Sequence, residues 1–276
     1  MTPQLHLSIL ASGSAGNACV VEGPQGSILV DCGISRKQLM LRAKEIGCDL
    51  DRVRAVLLTH EHTDHTAGLS VFANRFDGPI MATAGTSAAR PWMREISFEL
   101  VDDVDDFEVA GIRVRTFPTS HDVADPMGFR FDVAGADGND DNGDALGYCT
   151  DTGQLGDRAM ELLHGCRILA LESNHDVRML REGPYPGYLK ERVGGDTGHL
   201  SNDQAAEALP SLVTQDTETI VAMHLSEKNN TPSTCIRTLA AALGAEQANS
   251  TFTEARTPDG HLTVVPASQT IPMAIY

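Results

Sequence analysis

The apolar residues of this chain gather in short runs broken by glycine, proline and acidic residues, the pattern of many brief strands with helices between them. Residues 5–10, 18–22 and 27–31 predict three strands, parted by the turns Ser12-Gly13-Ser14-Ala15-Gly16-Asn17 and Gly23-Pro24-Gln25-Gly26. From Arg36 to Ile46 the period changes: Leu39, Ala43 and Ile46 share one helical face, and Gly47 supplies a stop. An apolar strand at 55–58, a helix running to Phe76, a strand at 79–82 and a helix over 86–96 follow. The acid-dense stretch 99–108 reads as a solvated turn, and 112–117 as a strand. Strands at 128–133 and 145–150 predict a hairpin whose acidic connection, Gly135 to Asp144, is expected to be mobile. The rest alternates: helix 155–163, strand 167–171, helix 202–212, strand 219–223, helix 232–243 and a last strand near 262–265. Strands first, then alternating strand and helix, imply an α/β protein with a two-sheet core and helices outside. No linker, repeat or low-complexity segment divides it, so one domain over 1–276 is expected.

Composition adds limits. At 276 residues and 41% hydrophobic, the chain can bury a substantial core. Its 38 acidic against 21 basic residues give a formal charge of −17, which repels polyanions at long range unless bound dications reverse the sign locally. Six cysteines occur without a C-x-x-C pair, mostly inside apolar runs, and read as free thiols of a reducing cytoplasm. The apolar stretch at 5–11 lacks a basic leader and is too short to span a bilayer, so it reads as a strand.

Chemistry-bearing residues recur where predicted strands end. After the strand at 55–58 comes Thr59-His60-Glu61-His62-Thr63-Asp64-His65, in which His60, His62, Asp64 and His65 put four candidate ligands within six positions. A single histidine beyond a strand is ordinarily a cap or surface residue, but packing gives no reason to assemble such a group. Imidazole and carboxylate hold zinc-class ions, and three protein ligands per ion leave a position open for water. His60 and His62, then Asp64 and His65, are enough to begin two such sites and too few to finish them. His121, Asp151 and His224 stand directly after later strands and are the candidates to complete the set. Zinc, manganese and iron all suit these donors. The turn at 12–17 is no phosphate loop, since no G-K-[ST] follows and it leads into a strand, though it could border the site.

H-x-H-x-D-H after a strand, with distant His, Asp and His, resembles the metallo-β-lactamase-fold hydrolase superfamily over essentially the whole chain. The resemblance implies an αβ/βα four-layer sandwich, two mixed sheets flanked by helices. It implies that His60, His62 and His121 hold one metal, that Asp64, His65 and His224 hold a second, and that Asp151 bridges them. Class B β-lactamases of the three-plus-three type place a cysteine in the second site and no histidine where His65 stands, so antibiotic hydrolysis is disfavoured. Gly198-His199-Leu200-Ser201 followed by His224-Leu225-Ser226 is similar to the tRNase Z-type phosphodiesterases. There a histidine corresponding to His199 donates a proton to the leaving group, and a glutamate corresponding to Glu172 orients it. Ser12-Gly13-Ser14, Leu171-Glu172-Ser173-Asn174-His175-Asp176 and Asn229-Asn230 look most like the single-domain YycJ/WalJ-like proteins, regarded as nucleic-acid phosphodiesterases, some of them 5′ exonucleases.

The resemblance thus implies a binuclear enzyme acting on DNA or RNA through a metal-bridging hydroxide, with Asp64 orienting that water and His199, backed by Glu172, as the acid. Asn174 and His175 are placed to touch substrate. Arg178, Arg181, Lys190 and Arg192, with Tyr185 and Tyr188 among them, are the basic cluster nearest in sequence; Arg178 and Lys190 are its candidate phosphate contacts, within what reads as a surface loop. Two alternatives stay open: a hydrolase of a small lactone, thioester or cyclic phosphodiester, which the charge of −17 favours, and a noncatalytic metal-binding protein. No membrane contact is expected, and the oligomeric state stays open between monomer and dimer.

Overall fold

The computed structural model describes residues 4–134 and 143–276. The connection expected to be mobile at 135–142 lies outside the described residues. Strands form two mixed sheets flanked by helices, the fold class expected from the sequence. By internal contacts the chain divides into two compact units. One comprises the described residues of Met1–Pro118, Val123–Ala145 and Gln269–Tyr276, and the other comprises Thr119–Asp122 and Leu146–Ser268.

In the first unit, β1 (His6–Ala11), β2 (Ala18–Glu22) and β3 (Ser27–Val30) make the expected antiparallel meander. β3 then pairs in parallel with β4 (Val53–Leu57), and β5 (Ile80–Ala82) and β6 (Phe98–Leu100) extend the sheet in the same sense. A final strand, Met273–Ile275, pairs antiparallel with β1; it lies beyond the point where the sequence pattern placed the last strand. The same unit carries the antiparallel ladder of β7 (Asp106–Val109), β8 (Ile112–Pro118) and β9 (Met127–Val133).

Helix α1 (Arg36–Ile46) has the bounds its apolar period predicts. Ser35 caps its start by accepting from Gln38 N at 3.3 Å, and Gly47 ends it at φ 76°, a left-handed conformation that glycine adopts without cost. Its buried face, Leu39 and Ala43, joins Leu29, Val56, Leu58 and Leu69 in one apolar cluster. Burying a leucine such as Leu39 contributes roughly 1.5–3 kcal/mol, which is what fastens the helix to the sheet. The helix expected up to Phe76 is instead two short ones, α2 (Thr63–Thr66) and α3 (Leu69–Ala73). Between them Gly68 N bonds to Cys32 O, and a Cβ at Gly68 would lie 2.0 Å from Ile34 O. The single helix expected over 86–96 does not form either. Pro91 drives Arg90 into extended backbone, φ −120° and ψ 138°, leaving α4 (Ala84–Ala88) and a 3-10 turn at Pro91–Glu95.

In the second unit, which takes β10 (Asp144–Cys149) from Leu146 onward, that strand, β11 (Ile168–Glu172) and β12 (Thr219–Met223) are parallel. Two further short pieces, β13 (Glu246–Gln247) and β14 (Ala255–Arg256), lead antiparallel into β15 (Thr263–Pro266), which pairs in parallel with β12. Between these strands run α5 (Asp157–Leu163), α6 (Val177–Glu182), α7 (Gly187–Val193), α8 (Asn202–Leu212) and α9 (Pro232–Leu243). The expected surface loop around Arg178–Arg192 is therefore two short helices, started by Asp176, which accepts from Met179 N at 2.7 Å, and by Pro186. α8 opens on a capping box between Ser201 and Gln204; α9 opens on Thr231 and Pro232. The strand register pairs Cys149 with Leu171 and Glu172 with Met223, so the residues just beyond all three strands emerge along one sheet edge. No helix among the described residues is long and apolar enough to cross a membrane.

Candidate metal centre

In the first unit the ligand-type residues gather at the end of β4. His60 and His65 are fully buried, and their rings lie 4.1 Å apart; His62, partly exposed, packs edge-on to His60 at 4.8 Å. Asp64 and His65 ride on α2, with Asp64 Oδ2 3.7 Å from His65 Nε2. The backbone of that turn is clamped from outside: Asn17 N donates to Asp64 O at 2.7 Å, and Cys32 N donates to His65 O at 2.8 Å. Gly33 leaves room for this crossing, since a Cβ there would lie 1.6 Å from Asp64 O.

Behind the imidazoles stands Asp31, which the sequence reading passed over. It is fully buried at the end of β3, in left-handed backbone at φ 60°. Its Oδ2 accepts from His65 Nδ1 at 2.7 Å, and its Oδ1 accepts from Thr59 N at 2.9 Å. Thr59 Oγ1 lies 2.9 Å from the same carboxylate and 3.0 Å from His60 Nδ1. Both rings are thus gripped through Nδ1, which leaves Nε2 as the lone-pair nitrogen. Asn17, the last residue of the 12–17 turn, brings its amide nitrogen 3.0 Å from His65 Nε2, so that turn borders His65. Glu61 faces elsewhere, accepting from Ala124 N at 3.0 Å and Thr86 Oγ1 at 3.4 Å.

The second unit carries a group of its own, at the ends of β10, β11 and β12. His121 Nδ1 donates to Gly198 O at 3.0 Å, again leaving Nε2, which lies 3.9 Å from Asp151 Oδ1. Asp151 and His224 are each 2% exposed and both adopt left-handed backbone, φ 56° and 55°. A non-glycine residue pays roughly 1–3 kcal/mol for such a conformation and keeps it only where its surroundings fix it. Asp151, Glu172, His199 and His224 each offer a ligand atom within 4.8 Å of one another.

Glu172 organises this group. It is fully buried, and its Oε1 lies 2.8 Å from His199 Nδ1 and 3.1 Å from His224 Nδ1. Oε2 accepts from Thr152 N at 2.8 Å and Leu200 N at 3.3 Å, so four donors converge on one carboxylate. Burial alone would raise its pKa, but the charge and hydrogen bond of His199, with His224 adding a bond, outweigh burial and hold it at about 2. Glu172 is therefore an anion at neutral pH, suited to hold an imidazole by Nδ1 and to stabilise its charged form.

The remaining sequence candidates divide. Asn174 is buried and donates through Nδ2 to His224 O at 2.7 Å. His175 is 2% exposed with Nδ1 lacking a hydrogen-bond partner, and burial pushes its pKa down to about 4. Arg178 is exposed and bonds to Glu182; Lys190 Nζ donates to Arg181 O at 2.6 Å. Behind them the quoted Asn230 proves to be a hub that the sequence did not reveal. It exchanges side-chain bonds with Asn202 at 3.0 and 2.9 Å and donates to Ser173 O and Asn174 O, both at 3.0 Å. The segment after β11, the start of α8 and the approach to α9 are thereby tied together. All six cysteines are free and buried, and Cys32 is pushed up to about 12 by burial and then by the Asp31 charge, which removes it from thiolate chemistry at neutral pH.

Comparison with known proteins adds sequence likeness to this geometry. The β-lactamase superfamily domain profile matches residues 27–225. The chain is 38% identical over 233 residues to the exodeoxyribonuclease YycJ of Bacillus anthracis, covering 82% of this chain and 84% of that protein. It is 35% identical over 234 residues to the exodeoxyribonuclease WalJ of Streptococcus pneumoniae, covering 81% and 82%. Among solved structures, the metallo-β-lactamase fold protein YhfI of Bacillus subtilis superposes with a TM-score of 0.67 at 14% identity, covering 98% of this chain and 99% of that one.

Proposed function

The chain belongs to the β-lactamase superfamily and has its metallo-β-lactamase fold, and from that premise we infer that it is a binuclear metal-dependent phosphodiesterase that degrades DNA or RNA as an exonuclease. The names of the two curated relatives support the substrate class. The observation that carries the reaction type is the buried Glu172 carboxylate holding His199 Nδ1 at 2.8 Å, an arrangement suited to giving up a proton from Nε2.

In this reading His60, His62 and His121 hold one divalent ion, Asp64, His65 and His224 a second, and Asp151 serves both. The donor chemistry fits: each of His60, His65, His121 and His224 has an oxygen against Nδ1, the outer-sphere pattern that fixes a ligating imidazole. Zinc, manganese and iron all satisfy such donors. When bound, such ions polarise the phosphate and lower the pKa of water toward neutrality. Asp64 accepts a hydrogen bond from the attacking water and orients it. His199 Nε2 passes its proton to the oxygen leaving phosphorus, and Glu172 stabilises the imidazole through Nδ1. Asn174, which donates to His224 O, and His175 are the candidate substrate contacts, together with Arg178 and Lys190 on the helices that precede His199.

We take residues 1–276 as one functional domain, since the family match runs through segments of both units. Free, buried thiols support a cytoplasmic setting. The charge of −17 favours the second reading, a hydrolase of a small lactone, thioester or cyclic phosphodiester. Wild-type protein assayed on labelled DNA, a thioester and bis-p-nitrophenyl phosphate with Mn²⁺ or Zn²⁺ separates the two. Turnover of DNA and the phosphodiester is expected; activity confined to the thioester overturns the nuclease reading.

A further inference from the structure

A chain of charge −17 that binds a polyanion must concentrate positive charge where the strand lies. Within the second unit, α6, α7 and their connection do this: residues 177–193 hold four basic residues, Arg178, Arg181, Lys190 and Arg192, against Glu182 and Glu191. The structure divides these cations into two pairs with different work. Lys190 Nζ donates to Arg181 O, fastening α7 to the end of α6. Arg192 grips Asp122 through both Nε and Nη2, fastening α7 to the residue after His121. The hairpin also abuts the catalytic backbone: His199 N donates to Val193 O at 2.9 Å, and a Cβ on Gly198 would lie 2.2 Å from Arg192 O.

The other pair is presented to solvent. Arg178 and Arg181 have side chains 78% and 73% exposed, and both bond to the one carboxylate of Glu182. Tyr188 on α7 is 74% exposed, a largely solvent-facing aromatic side chain. Exposed ion pairs of this sort are weak, so an incoming phosphate can take both guanidiniums from Glu182 at little cost. An exposed tyrosine on the helix that Lys190 fastens to α6 offers the kind of stacking surface that single-stranded nucleic acid uses.

We propose that the α6–α7 hairpin is a platform for single-stranded DNA, with Arg178 and Arg181 receiving phosphates, Tyr188 stacking a base, and Glu182 acting as an internal anion that the strand displaces. The inference rests on the nuclease reading and extends it to a binding surface packed against His199. It predicts that Glu182 weakens binding through its ion pairs with Arg178 and Arg181.

The test is fluorescence anisotropy on the full-length, metal-loaded protein with a labelled, cleavage-resistant phosphorothioate oligodeoxythymidylate of about twelve nucleotides. Tyr188→Ala is expected to weaken binding about tenfold. Arg178→Ala with Arg181→Ala should weaken it as well and reduce the log–log salt slope by about 1.4, two phosphates at 0.7 each. Glu182→Gln should tighten binding about threefold, a gain that misfolding cannot mimic. Wild-type affinity and slope in the Tyr188 and arginine variants, or no gain in Glu182→Gln, overturns the proposal. If the wild type hydrolyses bis-p-nitrophenyl phosphate yet binds no oligonucleotide, the platform is wrong and the phosphodiesterase reading survives. If it does neither, both fall.

Discussion

At the residue scale, the chemistry of the centre depends on side chains that never touch substrate. Asp31 decides which nitrogen of His65 is offered to a ligand, because its carboxylate at 2.7 Å captures Nδ1–H. Asp31→Asn keeps a residue tolerant of left-handed backbone and removes only the charge. We expect it to weaken metal affinity about 10- to 100-fold in a chelator competition, and unchanged affinity would contradict the orienting role. The ligand run at His60–His65 was legible in the sequence because no packing need explains it. Asp31 was legible only as an acid ending a strand, the same signal that marks Asp151. The contact between Glu172 and His199 spans 27 positions, so no local pattern could give its distance; only the family resemblance suggested it.

At the element scale, helix caps are legible in the sequence and backbone crossings are not. α1, α8 and α9 have the bounds expected, because an apolar period coincides with a serine or threonine cap at each start. The helix expected over 86–96 ignored Pro91, and the two helices between Arg178 and Arg192 were hidden because each is barely two turns long. The passage of Asp64 O across Gly33 has no sequence signature at all, since glycine beside a strand end is common. Gly33→Ala forces a Cβ to within 1.6 Å of that oxygen, so backbone must move where the metal run begins. Its expected cost is about 3 kcal/mol or more, read as a fall in the denaturation midpoint together with lost metal binding. A midpoint equal to wild type would show that the crossing is looser than its geometry implies.

At the scale of the whole molecule, the α/β class and the two mixed sheets follow from the order of strands and helices. Parallel strands place Asp151, Glu172 and His224 along one edge, which is why residues remote in sequence assemble. Net charge favours small substrates, whereas the curated relatives are named exodeoxyribonucleases. A local arrangement of cations on α6 and α7 reconciles them, and a composition total cannot express such an arrangement. The central claim is that His199, held by Glu172, is the acid for a poor leaving group. The most direct measurement is His199→Ala turnover on labelled DNA and on bis-p-nitrophenyl phosphate, with metal content recorded for each sample. DNA needs its departing alkoxide protonated, whereas p-nitrophenolate leaves unaided. The account predicts a loss of about 10²- to 10⁴-fold on DNA, a much smaller loss on the nitrophenyl ester, and unchanged metal content. Equal losses on both substrates, or a loss of metal, would contradict it.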